Sequence, residues 1–253
     1  MKTKLPMFVC AWLATTASYA EVLVEASGLW VFPVVDNEVV SGGIQRRDLE
    51  DTPGVNLFGG YRFEGTLEGL TVGLDFAWFS TEGNLSDTIS PGDALEFNED
   101  APKELRDEFG PLSPNGQVAD RINYDERFDF LTTTVAAEYA VEVSDWLEFY
   151  LGLGAGYGVV RHDARFSVSY DSELVPGQAR DSESVSGTDV DTVFAYNLDA
   201  GARTFFLENW SLHVGFKFLG YSDLDFEYGG DMPDIRVEEV KAYNLQTGIG
   251  YRF

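Results

Sequence analysis

Between Leu147 and Val159 the side chains alternate with a period of two so strictly that the two faces have almost nothing in common. One face carries Leu147, Phe149, Leu151, Leu153, Ala155, Tyr157 and Val159; the other carries Glu148, Tyr150 and then Gly152, Gly154, Gly156 and Gly158. Period two belongs to the β-strand, in which successive side chains leave opposite sides of a pleated ribbon. The split recurs at the end of the chain, where Tyr243, Leu245, Thr247, Ile249, Tyr251 and Phe253 oppose Asn244, Gln246, Gly248, Gly250 and Arg252. It recurs again where Trp210, Leu212, Val214, Phe216 and Phe218 oppose Ser211, His213, Gly215, Lys217 and Leu219. No useful window favours the helical period, and the pattern predicts strands at 22–35, 55–64, 70–81, 128–143, 147–165, 190–206, 210–227 and 240–253.

Two architectures accommodate such faces. A soluble sandwich turns the large apolar face inward, whereas a membrane barrel turns it toward lipid and fills its lumen with small and charged residues. The connections decide for the barrel: those near 65–69, 144–146 and 207–209 are tight, and those at 36–54, 82–127, 162–189 and 221–239 are long. An up-and-down meander with both termini on one side has three short turns there and four long loops opposite. Trp30, Phe32, Trp78, Tyr139, Trp146, Trp210 and Tyr251 fall near strand ends, as interfacial girdles require. The expected fold is therefore all-β, an eight-stranded antiparallel up-and-down transmembrane β-barrel. Segments such as 166–170 lack a second full lipid face and are expected to extend hairpins above the bilayer instead of adding a ninth and tenth strand.

Composition narrows the setting. With 43 acidic and 17 basic residues the chain of 253 carries −26, which repels nucleic acid phosphates, so DNA and RNA are not expected partners. Residues 1–20 read as a secretory signal peptide, with Lys2 and Lys4 ahead of an apolar run and Ser18-Tyr19-Ala20 as a small-x-small cleavage pattern. The domain reading is thus a signal peptide at 1–20 and a barrel at 21–253, with no disulfide available once Cys10 is removed. Most of the net charge falls in the four long connections, where oxygen-rich clusters such as Asp223, Asp225, Glu227 and Asp231 offer loose ligands to divalent cations; no EF-hand spacing is present. No resident metal and no cofactor is expected. The Gly152–Gly158 run does not match a dinucleotide fingerprint, since its third glycine comes two residues after the second and no helix follows.

The terminal Asn244-Leu245-Gln246-Thr247-Gly248-Ile249-Gly250-Tyr251-Arg252-Phe253, the glycine-rich strand and Asn197-Leu198-Asp199-Ala200-Gly201-Ala202-Arg203 resemble the opacity-type and OmpA/OmpX-like small outer-membrane barrels. The resemblance implies an outer-membrane location, contact with outer-membrane lipids and lipopolysaccharide, and insertion by the barrel-assembly machinery, which reads the terminal aromatics Tyr251 and Phe253. It specifies architecture and leaves the function open.

The lumen face carries Glu25, Arg62, Glu64, Asp75, Glu138, Glu142, Glu148, Asp199, Arg203, His213, Lys217 and Arg252. Eight strands leave room only for side chains, so these charges are expected to form an ion-paired plug. A turn that sets Phe206 beside Trp210 puts Asp199 opposite Lys217 and Arg203 opposite His213. The leading expectation is a non-catalytic structural and surface-interaction protein. Its alternatives are a small cation-preferring pore or hydrophobic-solute conduit and, third, a lipid A modifying enzyme working through His162 near Ser167 and Ser169, although Ala164 stands where a His-x-Ser motif needs serine.

Overall fold

The computed structural model describes residues 20–40, 49–64, 67–88, 118–171, 182–229, 232 and 234–253; the expected signal peptide and much of the long connections lie outside them. Among the described residues nine strands follow in order: β1 (Ala20–Val40), β2 (Thr52–Phe63), β3 (Leu70–Thr88), β4 (Val118–Ser144), β5 (Leu147–Asp171), β6 (Ser182–Phe205), β7 (Trp210–Tyr221), β8 (Leu224–Phe226) and β9 (Ile235–Arg252). β1 to β7 pair antiparallel in chain order, β7 and β8 each pair with β9, and β1 closes on β9 from Leu23↔Arg252 upward, so eight strands form a ring. The expected seventh strand at 210–227 is interrupted at Ser222 and Asp223. There Ser222 donates its N–H to Phe194, and β8 takes over the pairing with β9 that β7 leaves.

The faces are inverted as a lipid-embedded barrel requires. Leu151 and Leu153 on the outside are 65% and 62% exposed, whereas Glu148 and Arg203 inside are 0% exposed. Trp30 and Trp78 stand at one end of this apolar band, and Trp146, Trp210 and Tyr139 at the other. The tight turns close the second end. At one of them Gly69 adopts φ +85, where an added Cβ would lie 2.3 Å from the Ala140 carbonyl oxygen, so only glycine serves.

The strands continue well past the band on the opposite side. At about 3.3 Å per residue β4 is about 90 Å long, several times the 25 Å or so of an outer-membrane apolar belt. Within β4 and β5 the alternation reverses phase as it leaves the band. Leu131 and Val159 are the last outward apolar residues, and beyond them Phe130, Phe128, Val160, Ala164, Phe166 and Val168 are buried while Asp129, Arg127, Arg161 and Arg165 face out. Extension of hairpins is therefore what the structure contains, built as a second and conventionally oriented layer.

That layer has two leaves. Pairing of β2 with β3 stops at Gly54↔Phe79, and pairing of β6 with β7 stops at Ala195↔Tyr221. Above these points β3–β4–β5–β6 form one sheet and β1–β9–β8 another. The aromatic interior between them includes Phe79 stacked on Phe130 at 4.6 Å and Phe130 tilted against Tyr221 at 5.1 Å. Among the described residues the seams are tied by Glu50 N–H to the Glu82 carbonyl (2.9 Å) on one side. On the other, Asp191 and Asp189 accept from the β8-side N–H groups of Asp225 and Glu227, both at 2.9 Å.

Candidate functional site in the barrel interior

Inward positions of all eight strands of the ring bring polar side chains together inside the belt. Arg203 on β6 is the hub. Its Nε and Nη2 donate to Glu25 on β1 at 2.5 and 2.9 Å, its Nη1 and Nη2 to Glu138 on β4 at 2.5 and 2.6 Å, and Nη1 also to Glu148 at 3.1 Å. The guanidinium lies 4.2 Å over the ring of Tyr150. Glu148 receives two more cations, Arg62 at 2.8 Å and Arg252 at 3.3 Å, and Arg62 reaches Glu142 at 3.2 Å where the lumen opens to the short-turn end.

A second centre sits one layer up. Lys217 on β7 donates to Asp75 and to Asn56 at 2.9 Å and lies 3.2 Å from Asp199. Asn197 and Asn56 also donate to Asp75, and Gln246 donates to Asp199 and to the Tyr150 hydroxyl. His213 bonds Ser27 through Nε2 at 2.6 Å, and its Nδ1 lies 3.5 Å from Glu25. The space left between the two centres is a cavity of about 20 Å³, room for about one water.

Of the lumen residues expected from sequence, Glu25, Arg62, Asp75, Glu138, Glu148, Arg203, His213 and Lys217 are buried in these networks. Asp199 and Arg252 are partly buried members, and Glu142 pairs with Arg62 at the rim. Glu64 does not join them: β2 ends at Phe63, and Glu64 beyond it is exposed. Asp199 does face Lys217, Arg203 does face His213, and the Phe206 N–H donates to the Trp210 carbonyl at 3.2 Å, the register that the tight turn implies. What sequence reasoning missed is the neutral part of the network, Asn56, Asn197, Gln246, Tyr150 and Thr134, although each occupies an inward position of the same alternation. The glycines of β5 are close-packing positions. A Cβ on Gly154 would lie 2.5 Å from Asn197 Oδ1, and one on Gly158 would lie 2.9 Å from the Tyr221 ring, so the neighbours they admit are polar and aromatic as well as charged.

His162 lies above this plug, in the aromatic layer, and is 0% exposed. Its ring stacks on Phe128 at 4.0 Å and tilts against Phe226 at 4.8 Å. Nε2 lies 3.2 Å from Glu126 Oε2, and Nδ1 meets the Tyr228 hydroxyl. A general base has to reach a substrate proton, and this imidazole is enclosed by both leaves with its two nitrogens engaged. Asp223 and Asp225 lie near Arg236, at 2.7 and 3.7 Å, and among the described residues no group of three or more acids, histidines or cysteines is arranged to hold a metal.

Similar solved structures include the outer membrane protein OprG from Pseudomonas aeruginosa, at 12% identity over 93% of this chain and 96% of that one, with a TM-score of 0.49. Neisserial surface protein A matches at 12% identity over 92% and 97%, TM-score 0.43, and the attachment invasion locus protein Ail of Yersinia pestis at 16% over 93% and 99%, TM-score 0.38. No curated protein matches the sequence. The family pattern described as outer membrane protein beta-barrel domain matches residues 11–253, nearly the whole chain, and the protein belongs to that family.

Proposed function

We propose that this outer-membrane barrel is a non-catalytic structural and surface-interaction protein. Its termini and short turns face the periplasm, and its tall leaves and acidic connections stand outside the cell. The observation that carries the reading is the sealed interior. Two ion-paired centres meet around a cavity of about 20 Å³, and a packed aromatic layer lies above them, so the described residues block the middle of the belt to water and to an apolar solute. Function then falls to the outer surface. The acidic connections offer oxygen ligands to divalent cations, and the belt meets lipid. Enclosure of His162 supports the absence of lipid A chemistry. The orientation follows the rule that outer-membrane barrels place short turns in the periplasm and long connections outside. Tyr251 packs 4.5 Å from Phe253 at the exposed end of β9, a placement suited to recognition by the assembly machinery.

Two measurements test this. In planar bilayers the folded protein is expected to give no resolved conductance; steady channels abolished by Glu138→Gln or Asp75→Asn would replace the surface reading with a pore. Ser184→Cys, on the outward face of β6, is expected to react with a membrane-impermeant maleimide in intact cells. Labelling only after lysis would reverse the orientation.

A further inference from the structure

A buried line of titratable groups joins the two leaves above the plug. The Tyr228 hydroxyl meets Nδ1 of His162, and Nε2 of the same ring lies 3.2 Å from Glu126 Oε2. All three residues are buried, and the rings of Phe128 and Phe226 pack on the imidazole. An ionised carboxylate only accepts hydrogen bonds, and Glu126 Oε2 also accepts from the Tyr124 hydroxyl at 3.2 Å. The imidazole proton therefore sits on Nε2, directed at Glu126, and the lone pair of Nδ1 receives the O–H of Tyr228. Other buried tyrosines have different partners: Tyr221 bonds Thr132, Tyr150 accepts from Gln246 and Tyr124 donates to Glu126. Among the described residues Tyr228 alone gives its phenol proton to a neutral imidazole.

The enclosure that keeps a substrate from His162 does not keep out an electron. Gly187 on β6 lines an open groove of about 420 Å³, together with the outward-facing Asp125, Arg127, Arg165 and Thr188. Its inner side is covered by the Tyr228 ring, to which a Cβ on Gly187 would lie 2.5 Å away. Only the glycine backbone therefore separates the phenol from the groove, and Glu126 borders the same groove. A phenol that loses an electron becomes a strong acid, and a base already bonded to it takes the proton as the electron leaves. We propose that Tyr228, His162 and Glu126 form a proton-coupled electron relay that gives single electrons to oxygen-centred radicals reaching this groove. The electron passes from the Tyr228 ring to a peroxyl radical while the phenol O–H bond breaks and an N–H bond forms at Nδ1. Tyr228 is oxidised to a neutral phenoxyl radical. The peroxyl radical is reduced to its anion, which takes a proton from groove water and leaves hydroxide, so that a hydroperoxide departs. The imidazolium is held against the Glu126 carboxylate by a charge-assisted hydrogen bond. This activity goes beyond the surface-interaction reading and requires only that the groove meet solvent.

The test oxidises the full-length chain, folded in nanodiscs, with photogenerated tris(bipyridyl)ruthenium(III) and separately with peroxyl radicals from a water-soluble azo initiator. Samples are frozen at intervals and read by electron paramagnetic resonance. Both oxidants are expected to leave a long-lived tyrosyl radical. That signal is expected to be lost in Tyr228→Phe and kept in Tyr124→Phe and in Tyr157→Phe, whose ring is exposed on the outside of the barrel. In the native chain the radical is expected to couple to an exchangeable proton and to a ring nitrogen, and the second coupling to shift when histidine carries the heavy nitrogen isotope. A tyrosine with a merely structural role gives no such coupling, and this readout needs no variant to fold. Heat-dependent migration and resistance to trypsin report that Tyr228→Phe keeps both layers. Equal signals from the native chain and Tyr228→Phe overturn the assignment, as does loss of the signal in either control variant. A radical without nitrogen coupling removes His162 as the proton acceptor, and a signal raised by ruthenium but not by peroxyl radicals overturns the class of oxidant.

Discussion

Replacing Arg203 by methionine is expected to prevent stable closure of the barrel. The variant keeps the length and apolar stem of the side chain and removes only the guanidinium, yet that group binds Glu25, Glu138 and Glu148 at once and is fully buried. Glu148 retains Arg62 and Arg252; Glu138 has no other cation within 4 Å among the described residues, and Glu25 has only His213. Leaving buried carboxylates without a counter-ion costs about 3–5 kcal/mol, comparable to a large share of the stability of an ordinary domain. In electrophoresis most of Arg203→Met is expected to lose heat-dependent migration, and any folded fraction to unfold at markedly lower urea. The decisive control is Arg203→Met combined with Glu25→Gln and Glu138→Gln. Because the isolated charges cause the loss, this triple variant is expected to regain most of the folded fraction. If the triple variant is as defective as the single one, packing of the guanidinium on Tyr150 holds the barrel, and the ion-pair account of the plug fails.

The plug was readable in sequence to the extent that its determinants are local. Alternation assigns Asp199, Arg203, His213 and Lys217 to one face of two strands, and the short turn between Phe206 and Trp210 sets their register. Arg203 and Glu25 are 178 residues apart and Lys217 and Asp75 are 142 apart, and these contacts exist only because the sheet closes with a particular shear. No local pattern encodes which lumen residues then meet across the barrel. The position of Glu64 illustrates the limit at a strand end, where one residue of difference in length exchanges a lumen site for a solvated one.

The upper layer was foreseen only as extended hairpins, and its inward packing was missed although the signal was present. Sequence reading ended the membrane strands near 165 on β5 and 128 on β4 because the lipid face disappears there, and expected segments such as 166–170 to extend hairpins above the bilayer. The apolar residues had not vanished; they had changed parity. On β5 the outward series ends at Val159 and an inward series begins at Val160, continuing through Ala164, Phe166 and Val168. On β4 the exchange falls between Phe130 and Leu131. Lipid outside requires large residues out, and water outside requires them in, so a strand that crosses the membrane surface has to invert its alternation there. The parity change is a marker of height, and its agreement between adjacent strands (Phe130 opposite Val160, Leu131 opposite Val159) locates the boundary to within a residue.

Because the two layers are stabilised by different solvents, they are expected to come apart separately, and His162→Ala is the substitution that separates them. The imidazole joins the leaves: it lies on β5, stacks on Phe128 of β4, tilts against Phe226 of β8 and meets Tyr228 beyond it. Tyr228 is seated over Gly187 of β6, where an added Cβ would lie 2.5 Å from its ring. Removing the ring deletes a buried aromatic contact and two polar links and leaves the Glu126 carboxylate beside a void, together about 3 kcal/mol. None of this touches the plug, so the variant is expected to retain heat-dependent migration and lipid insertion. The upper leaves, which no lipid confines, are expected to open locally. Limited trypsin digestion of the folded variant should then cut at Arg121, Arg127, Arg161 or Arg165, all of which lie in paired strands of the native leaf. The mass of lipid A in cells expressing either form is expected to be the same. Native-like resistance to trypsin would mean that the leaves hold together without the histidine, and a change in lipid A that disappears with His162→Ala would mean that the aromatic layer opens to a substrate and that the ring is a base.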